Sequence, residues 1–171
     1  EFRRVLFRSS LKAENVKQFG QVGGSGFDKQ IDLWTTLLNI NPSEAKPKFD
    51  LAVKDGDYIA GIAQVYKQVE TEFNQRSSQA ASRKKLYADL SDGINYYATK
   101  KEPGVIMVHL TKREAMVYHF NNLDTLMQFD NDNRLIAKYN PTTYPKLEIQ
   151  DYKTRQVLIS IRDKKEKDYI R

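Results

Sequence analysis

Asp50 stands between Phe49 and Leu51, in a segment from Lys48 to Lys54 that alternates apolar and polar residues. A carboxylate in a buried sheet is unusual, because an unpaired buried charge is strongly unfavourable. That marks Asp50 as a candidate for function, against the plainer reading of a solvated strand residue beside a turn. Gln64 and Lys67 follow in the next segment, and Asp28 precedes both. Lys67 has a plain alternative as a charge that protects an exposed strand edge. Asp28 has one as the second half of a Ser25-x-x-Asp28 capping box. A second group is Asn74, Gln75, Arg76, Gln79 and Arg83. From Phe73 to Ala88 there are four basic residues (Arg76, Arg83, Lys84, Lys85) and no acid. Asn, Gln and Arg hold phosphates and read base edges, and Arg76 and Arg83, seven apart, share a face if they lie on one helix. An ordinary solvated helix face is the alternative. His109 and His119 fall on neighbouring predicted strands, but two histidines without a third ligand are more often structural than metal-binding.

The elements that must position these residues follow from periodicity. Phe27, Ile31, Trp34 and Leu38 recur at helical spacing after Ser25, and Pro42 follows the end of that helix. Trp34 is expected to be buried with Ile31 and Leu38 against the sheet. Lys48 to Lys54 is predicted as a strand, Asp55-Gly56 as a tight hairpin turn, and Tyr58 to Val69 as the returning strand. A long helix is predicted over 74–99, with Leu86, Leu90, Ile94 and Tyr97 as its apolar stripe. Pro103-Gly104 ends it. Val105 to Leu110 and Ala115 to Phe120 are predicted as adjacent strands joined by a turn over 111–114. Leu123 to Phe129 is predicted as a short helix or turn, and two or three further strands fill 134–162. The order implies an α/β or α+β domain with one central sheet.

This order, with the acid in Gly26-Phe27-Asp28, the Asp in Pro47-Lys48-Phe49-Asp50 and the Lys in Gln64-Val65-Tyr66-Lys67, resembles the PD-(D/E)XK nuclease superfamily, the fold of type II restriction endonucleases. The resemblance spans about Ser25 to Phe120. It implies a restriction-endonuclease-like central mixed sheet flanked by helices, and Mg²⁺-dependent hydrolysis of double-stranded DNA. In that family acids on the opening helix and hairpin bind Mg²⁺, which takes hard oxygen ligands, and a lysine offsets the charge that develops on the phosphate. By resemblance, Asp50, Asp28 and Gln64 hold the metal, and Asp50, Lys67 and Gln64 carry the catalysis. A homodimer is the assembly the resemblance implies. Val65 occupies the position two before Lys67 where the family has an acid. A β-bulge at Gln64 would restore alignment. Alternatively Glu70 or Glu72 supplies the missing carboxylate, or the domain is a non-catalytic nucleic-acid-binding module on the same scaffold.

Composition narrows the classes. The 171 residues amount to a single domain, 40% hydrophobic, without cysteine. Disulfides and thiolate metal sites are excluded, which fits a cytoplasmic location. No apolar run is long enough to suggest a membrane span. The net charge of +6 sits at the ends. Three Arg and one Glu fall in residues 1–9, and seven basic against three acidic residues fall in 153–171, leaving 10–152 neutral. Net charge therefore does not by itself identify a nucleic-acid binder. Residues 1–9 read as a foreign segment. Residues 10–171 read as one nuclease-like domain truncated at its C-terminus.

Overall fold

The computed structural model describes residues 26–99, 105–110, 115–120, 134–142 and 145–162. Four helices precede five strands: α1 Phe27–Leu38, α2 Lys46–Lys54, α3 Tyr58–Ser78, α4 Ala80–Thr99, β1 Val105–Leu110, β2 Ala115–Phe120, β3 Leu135–Asn140, β4 Lys146–Asp151 and β5 Val157–Arg162. A short 3-10 turn, Ser43–Ala45, leads into α2. This is an α+β arrangement. Its pairings are antiparallel throughout, in a two-stranded β1–β2 sheet and a three-stranded sheet ordered β3-β4-β5. The expected single mixed sheet is not formed among the described residues. Ser25, the 111–114 turn and the 123–129 segment lie outside them. No helix among the described residues is long and apolar enough to cross a membrane.

Two expected strands are helices. Lys48 to Lys54 belongs to α2 and Tyr58 to Val69 belongs to α3. The alternation Phe49-Leu51-Val53 misleads, because only Phe49 is buried while Leu51 is 60% exposed. Pro47 lies in the first turn of α2, where its missing N–H costs nothing. Asp55-Gly56 also has a different role. Gly56 has a φ of 82°. Its N–H donates to the Val53 carbonyl at 3.0 Å, and that of Asp57 donates to Ala52 at 2.8 Å. These two bonds form a Schellman ending for α2. The positive φ that a hairpin turn demands of glycine is the one a helix C-terminus demands. Asp57 then caps α3, its carboxylate accepting from the Ala60 N–H at 2.8 Å. The buried residues of α3, Gly61, Ile62, Val65, Tyr66, Val69, Phe73 and Ser77, follow a helical rhythm of three to four residues.

The helix predicted over 74–99 is interrupted. Gln79 has φ −101° and ψ 121°, which ends α3 before α4 begins. Serines stabilise the break: Ser78 Oγ donates to the Gln75 carbonyl at 2.7 Å and Ser82 Oγ to the Arg76 carbonyl at 2.7 Å.

The core joins helices and sheet. Leu135, Ala137, Leu147 and Ile149 of β3 and β4 are buried in one cluster with Trp34, Val65, Tyr66, Val69, Phe73, Leu86 and Leu90. Trp34 is fully buried, as expected, and packs edge-on against Tyr66 of α3, with ring centroids 5.3 Å apart. Tyr66 in turn meets Tyr139 of β3 at 6.1 Å. The outer edge of β3 is closed by side chains instead of another strand. Asn74 accepts from the Ala137 N–H and donates to the Ala137 carbonyl, both at 2.9 Å. Ser77 Oγ donates to the Leu135 carbonyl at 2.5 Å, and the Tyr87 hydroxyl accepts from the Leu135 N–H at 2.7 Å.

Gly93 sets the approach of α4 to α1. A β-carbon there would lie 2.4 Å from the Leu37 carbonyl oxygen and 2.5 Å from its Cα. Helix propensity alone favours alanine over glycine by about 1 kcal/mol. Backbone cannot yield as a side-chain end can, so overpacking wins. Gly93→Ala is expected to lower the unfolding free energy by about 1–3 kcal/mol in urea denaturation. A stabilised variant would mean that the two helices are not in contact there.

Candidate functional site

The residues expected to hold a metal are spread over three helices. Asp28 is exposed in the first turn of α1. The residue that caps this helix is Gly26, with no side-chain capping bond, so the Ser25-x-x-Asp28 box does not describe its start. Asp50 is exposed on α2, its carboxylate 2.8 Å from the ammonium of Lys46 one turn earlier. An exposed i,i+4 pair of this kind contributes about 0.3–0.5 kcal/mol. Gln64 is half-buried and Lys67 exposed, both on α3. No hairpin brings them to Asp50. The Ala45 N–H donates to Gln68 Oε1 at 2.7 Å, so the α3 turn carrying Lys67 lies level with the start of α2, about a turn from Asp50.

Val65, at the position the resemblance assigns to an acid, is 0% exposed in the core. A β-bulge at Gln64 does not arise in a helix. Of the alternative acids, Glu72 is half-buried. Burial pushes its carboxyl above the ordinary range, Arg76 opposes that shift, and Glu44 adds to it. Among the described residues no three acidic or histidine side chains are grouped to hold a metal ion. His109 and His119 are not opposite one another. His109 pairs with Met116 and His119 with Ile106, three rungs away, or about 10 Å along the strand.

The expected DNA-contacting residues are largely engaged within the fold. Arg76 donates to Leu38 and Asn39 carbonyls at 2.9 and 3.3 Å and pairs with Asp89 at 2.6 Å. It thereby joins the C-terminus of α1 to α3 and α4. Arg83 Nε donates to the Ser77 carbonyl at 2.8 Å, closing the end of α3. The two arginines lie on different helices and share no common face. Asn74 holds β3, while Gln75 and Gln79 are exposed.

A different group converges. Glu70 and Asn74 of α3, Arg134, Ile136, Ala137 and Lys138 of the β3 segment, Gln150 of β4 and Arg155 line an open cleft of about 640 Å³. The turn between β4 and β5 shapes one wall. Asp151 Oδ1 accepts from the backbone N–H groups of Thr154 at 2.6 Å and Lys153 at 2.9 Å, and from the Thr154 hydroxyl at 2.9 Å. The Thr154 bonds, the backbone one foremost, hold the Asp151 carboxyl below the usual carboxylate range. Arg155 follows with a φ of 61°, a left-handed conformation that costs a non-glycine residue about 1–2 kcal/mol. The Tyr152 N–H donates to the Arg134 carbonyl at 2.8 Å, bringing its ring beside the β3 start. Both guanidiniums then lie by that ring, Arg134 at 4.5 Å and Arg155 at 5.1 Å from its centroid.

Three cations and one acid, Glu70, line the cleft. Among the described residues Arg134, Lys138 and Arg155 have no ion-pair partner. Arg134 Nε is buried without a hydrogen-bond partner, and a buried orphan donor of this kind costs about 1–3 kcal/mol. The nearby carboxylate of Glu148, 8% exposed, is already taken by Lys146 at 2.6 Å and by Gln150 Nε2 at 3.0 Å. Sequence reasoning missed this group because its three cations are scattered over 134–155, with Lys146, Glu148, Asp151 and Lys153 between them. The available signal was the Asp151-x-x-Thr154 turn, which folds Arg155 back towards Arg134.

No protein family, curated protein or solved structure matches the chain.

Proposed function

We propose that this domain binds nucleic acid by its phosphates, in the cleft between α3 and the three-stranded sheet. The observation that carries the reading is the convergence of Arg134, Lys138 and Arg155 on one concavity, where they outnumber its one lining acid, Glu70, and none of the three is ion-paired among the described residues. Arginine forks and lysine point charges are the groups that hold phosphate oxygens. The left-handed Arg155 supports it, since backbone strain of this sort concentrates at sites of binding. Mg²⁺-dependent hydrolysis of double-stranded DNA is what the sequence resemblance implies. What the cleft's cations support, and what is proposed, is binding.

The test is the salt dependence of binding. Each phosphate contact contributes about 0.7–0.9 to the slope of log K against log salt. Replacing Arg134, Lys138 and Arg155 together by Gln is expected to lower the slope by about two to three units and weaken binding. Replacing Lys48 and Lys54 of α2, which are also exposed, is expected to leave it nearly unchanged. An equal loss from both sets would mean that general surface charge, and not the cleft, binds the ligand.

A further inference from the structure

Resting on the reading just given, we infer that a nucleic-acid backbone held in the cleft continues across the outer face of the three-stranded sheet to Arg162. Successive residues of a strand face opposite ways. Leu135 and Ala137 of β3, Leu147 and Ile149 of β4, and Ile159 and Ile161 of β5 belong to the core or pack against it. The residues that alternate with them, Lys138 on β3, Lys146 on β4 and Ser160 and Arg162 on β5 among them, therefore take the other face. Ile136, Lys138 and Gln150 belong to that face and line the cleft as well, so the two surfaces are continuous.

The register arranges the charges in rows. Lys138 lies opposite Glu148, and Glu148 opposite Ser160. In the adjoining row of this face Asn140 lies opposite Lys146, and Lys146 opposite Arg162. Like charges directly across from one another destabilise a sheet. Lys146 is offset by Glu148 at 2.6 Å. Arg162 is exposed and has no ion-pair partner among the described residues. Glu148 is the one acid in these two rows, and it is engaged by Lys146 and by the Gln150 amide at 3.0 Å. Lys138 and Arg162 are left as exposed cations on one face, about 12 Å apart by two strand spacings and two residues of rise. Asn140 and Ser160, which flank that diagonal, are side chains of the kind that hold phosphate oxygens. A chain of phosphates leaving the cleft at Lys138 meets its next cation at Arg162 and relieves the repulsion there.

Arg162→Gln tests the path. The residue lies outside the cleft at an exposed position, so its loss leaves the cleft cations in place. The full chain is titrated with a labelled DNA oligonucleotide of about twelve residues. The slope of log K against log salt is expected to fall by about 0.7–0.9, equivalent to a loss of about five- to eightfold in affinity at about 0.1 M salt. Arg162→Lys is expected to keep the slope. The melting temperature of Arg162→Gln is expected to stay level or rise, because a cross-strand repulsion is removed. A lowered melting temperature with a wild-type slope would make Arg162 a structural residue and overturn the inference. A wild-type slope and affinity for Arg162→Gln, while the triple cleft variant loses its slope, would overturn the continuation and leave binding in the cleft standing. An equal fall for Lys54→Gln, exposed on α2, would reduce the effect to general surface charge and overturn it as well. Absence of DNA binding by the wild type would remove the proposed function and the continuation together.

Discussion

Arg76→Met should lower the unfolding free energy by about 3–5 kcal/mol. The side chain is 17% exposed and its partner Asp89 18%, so the pair is largely out of water. Methionine keeps the aliphatic stem but leaves the Asp89 carboxylate buried without its cation. It also strips the Leu38 carbonyl of a donor at 2.9 Å and the Asn39 carbonyl of one at 3.3 Å. Leaving groups unsatisfied costs more than the bonds were worth. Removing the stranded charge as well, in Arg76→Met with Asp89→Leu, should recover part of the loss. Chemical denaturation of the three proteins decides it. An unchanged midpoint for Arg76→Met would show that the arginine does not join the three helices.

Trp34→Ala should cost about as much, roughly 3–5 kcal/mol, for a different reason. The indole is fully buried, donates from Nε1 to Gln30 Oε1 at 3.2 Å, and forms the edge-on contact with Tyr66. Alanine leaves a cavity where α1 meets α3 and removes the donor of the Gln30 bond. Trp34→Phe, which keeps an aromatic edge, should lose far less. Because Trp34 is the only tryptophan, its fluorescence in the wild type reports the same transition. A Trp34→Ala protein with wild-type thermal stability would place the indole outside the core.

What could be read from the chain depended on how many interpretations each pattern admitted. Phe27, Trp34 and Leu38 fit a helix and nothing else, and α1 follows. Val105–Leu110 and Ala115–Phe120, dense in residues that favour strands, pair as expected, and three strands occupy the region over 134–162. Between them the signals were degenerate. Asp55-Gly56 satisfies a hairpin and a helix ending equally, and a short apolar alternation in α2 imitates a strand although two of its three apolar residues face water. The rhythm of three to four residues from Ile62 through Phe73 was present and outweighs that alternation once followed to its full length. With the hairpin gone, Asp50 and Lys67 lose the geometry that paired them. Of the cationic cleft, only the Asp151-x-x-Thr154 turn was legible. The cleft depends on that turn folding Arg155 back and on α3 standing against β3, contacts far apart in sequence.

The sealing of β3 by Asn74, Ser77 and Tyr87 has a mechanical consequence. The sheet is anchored along one side, where four backbone groups are clasped by two helices, and carries its more exposed strand, β5, at the other. Amide protons of Leu135 and Ala137, although they belong to an outer strand, are shielded from exchange with water until the helices themselves pull away. Partial opening of the sheet therefore runs inward from β5, and it removes the Arg155 wall before it disturbs Arg134.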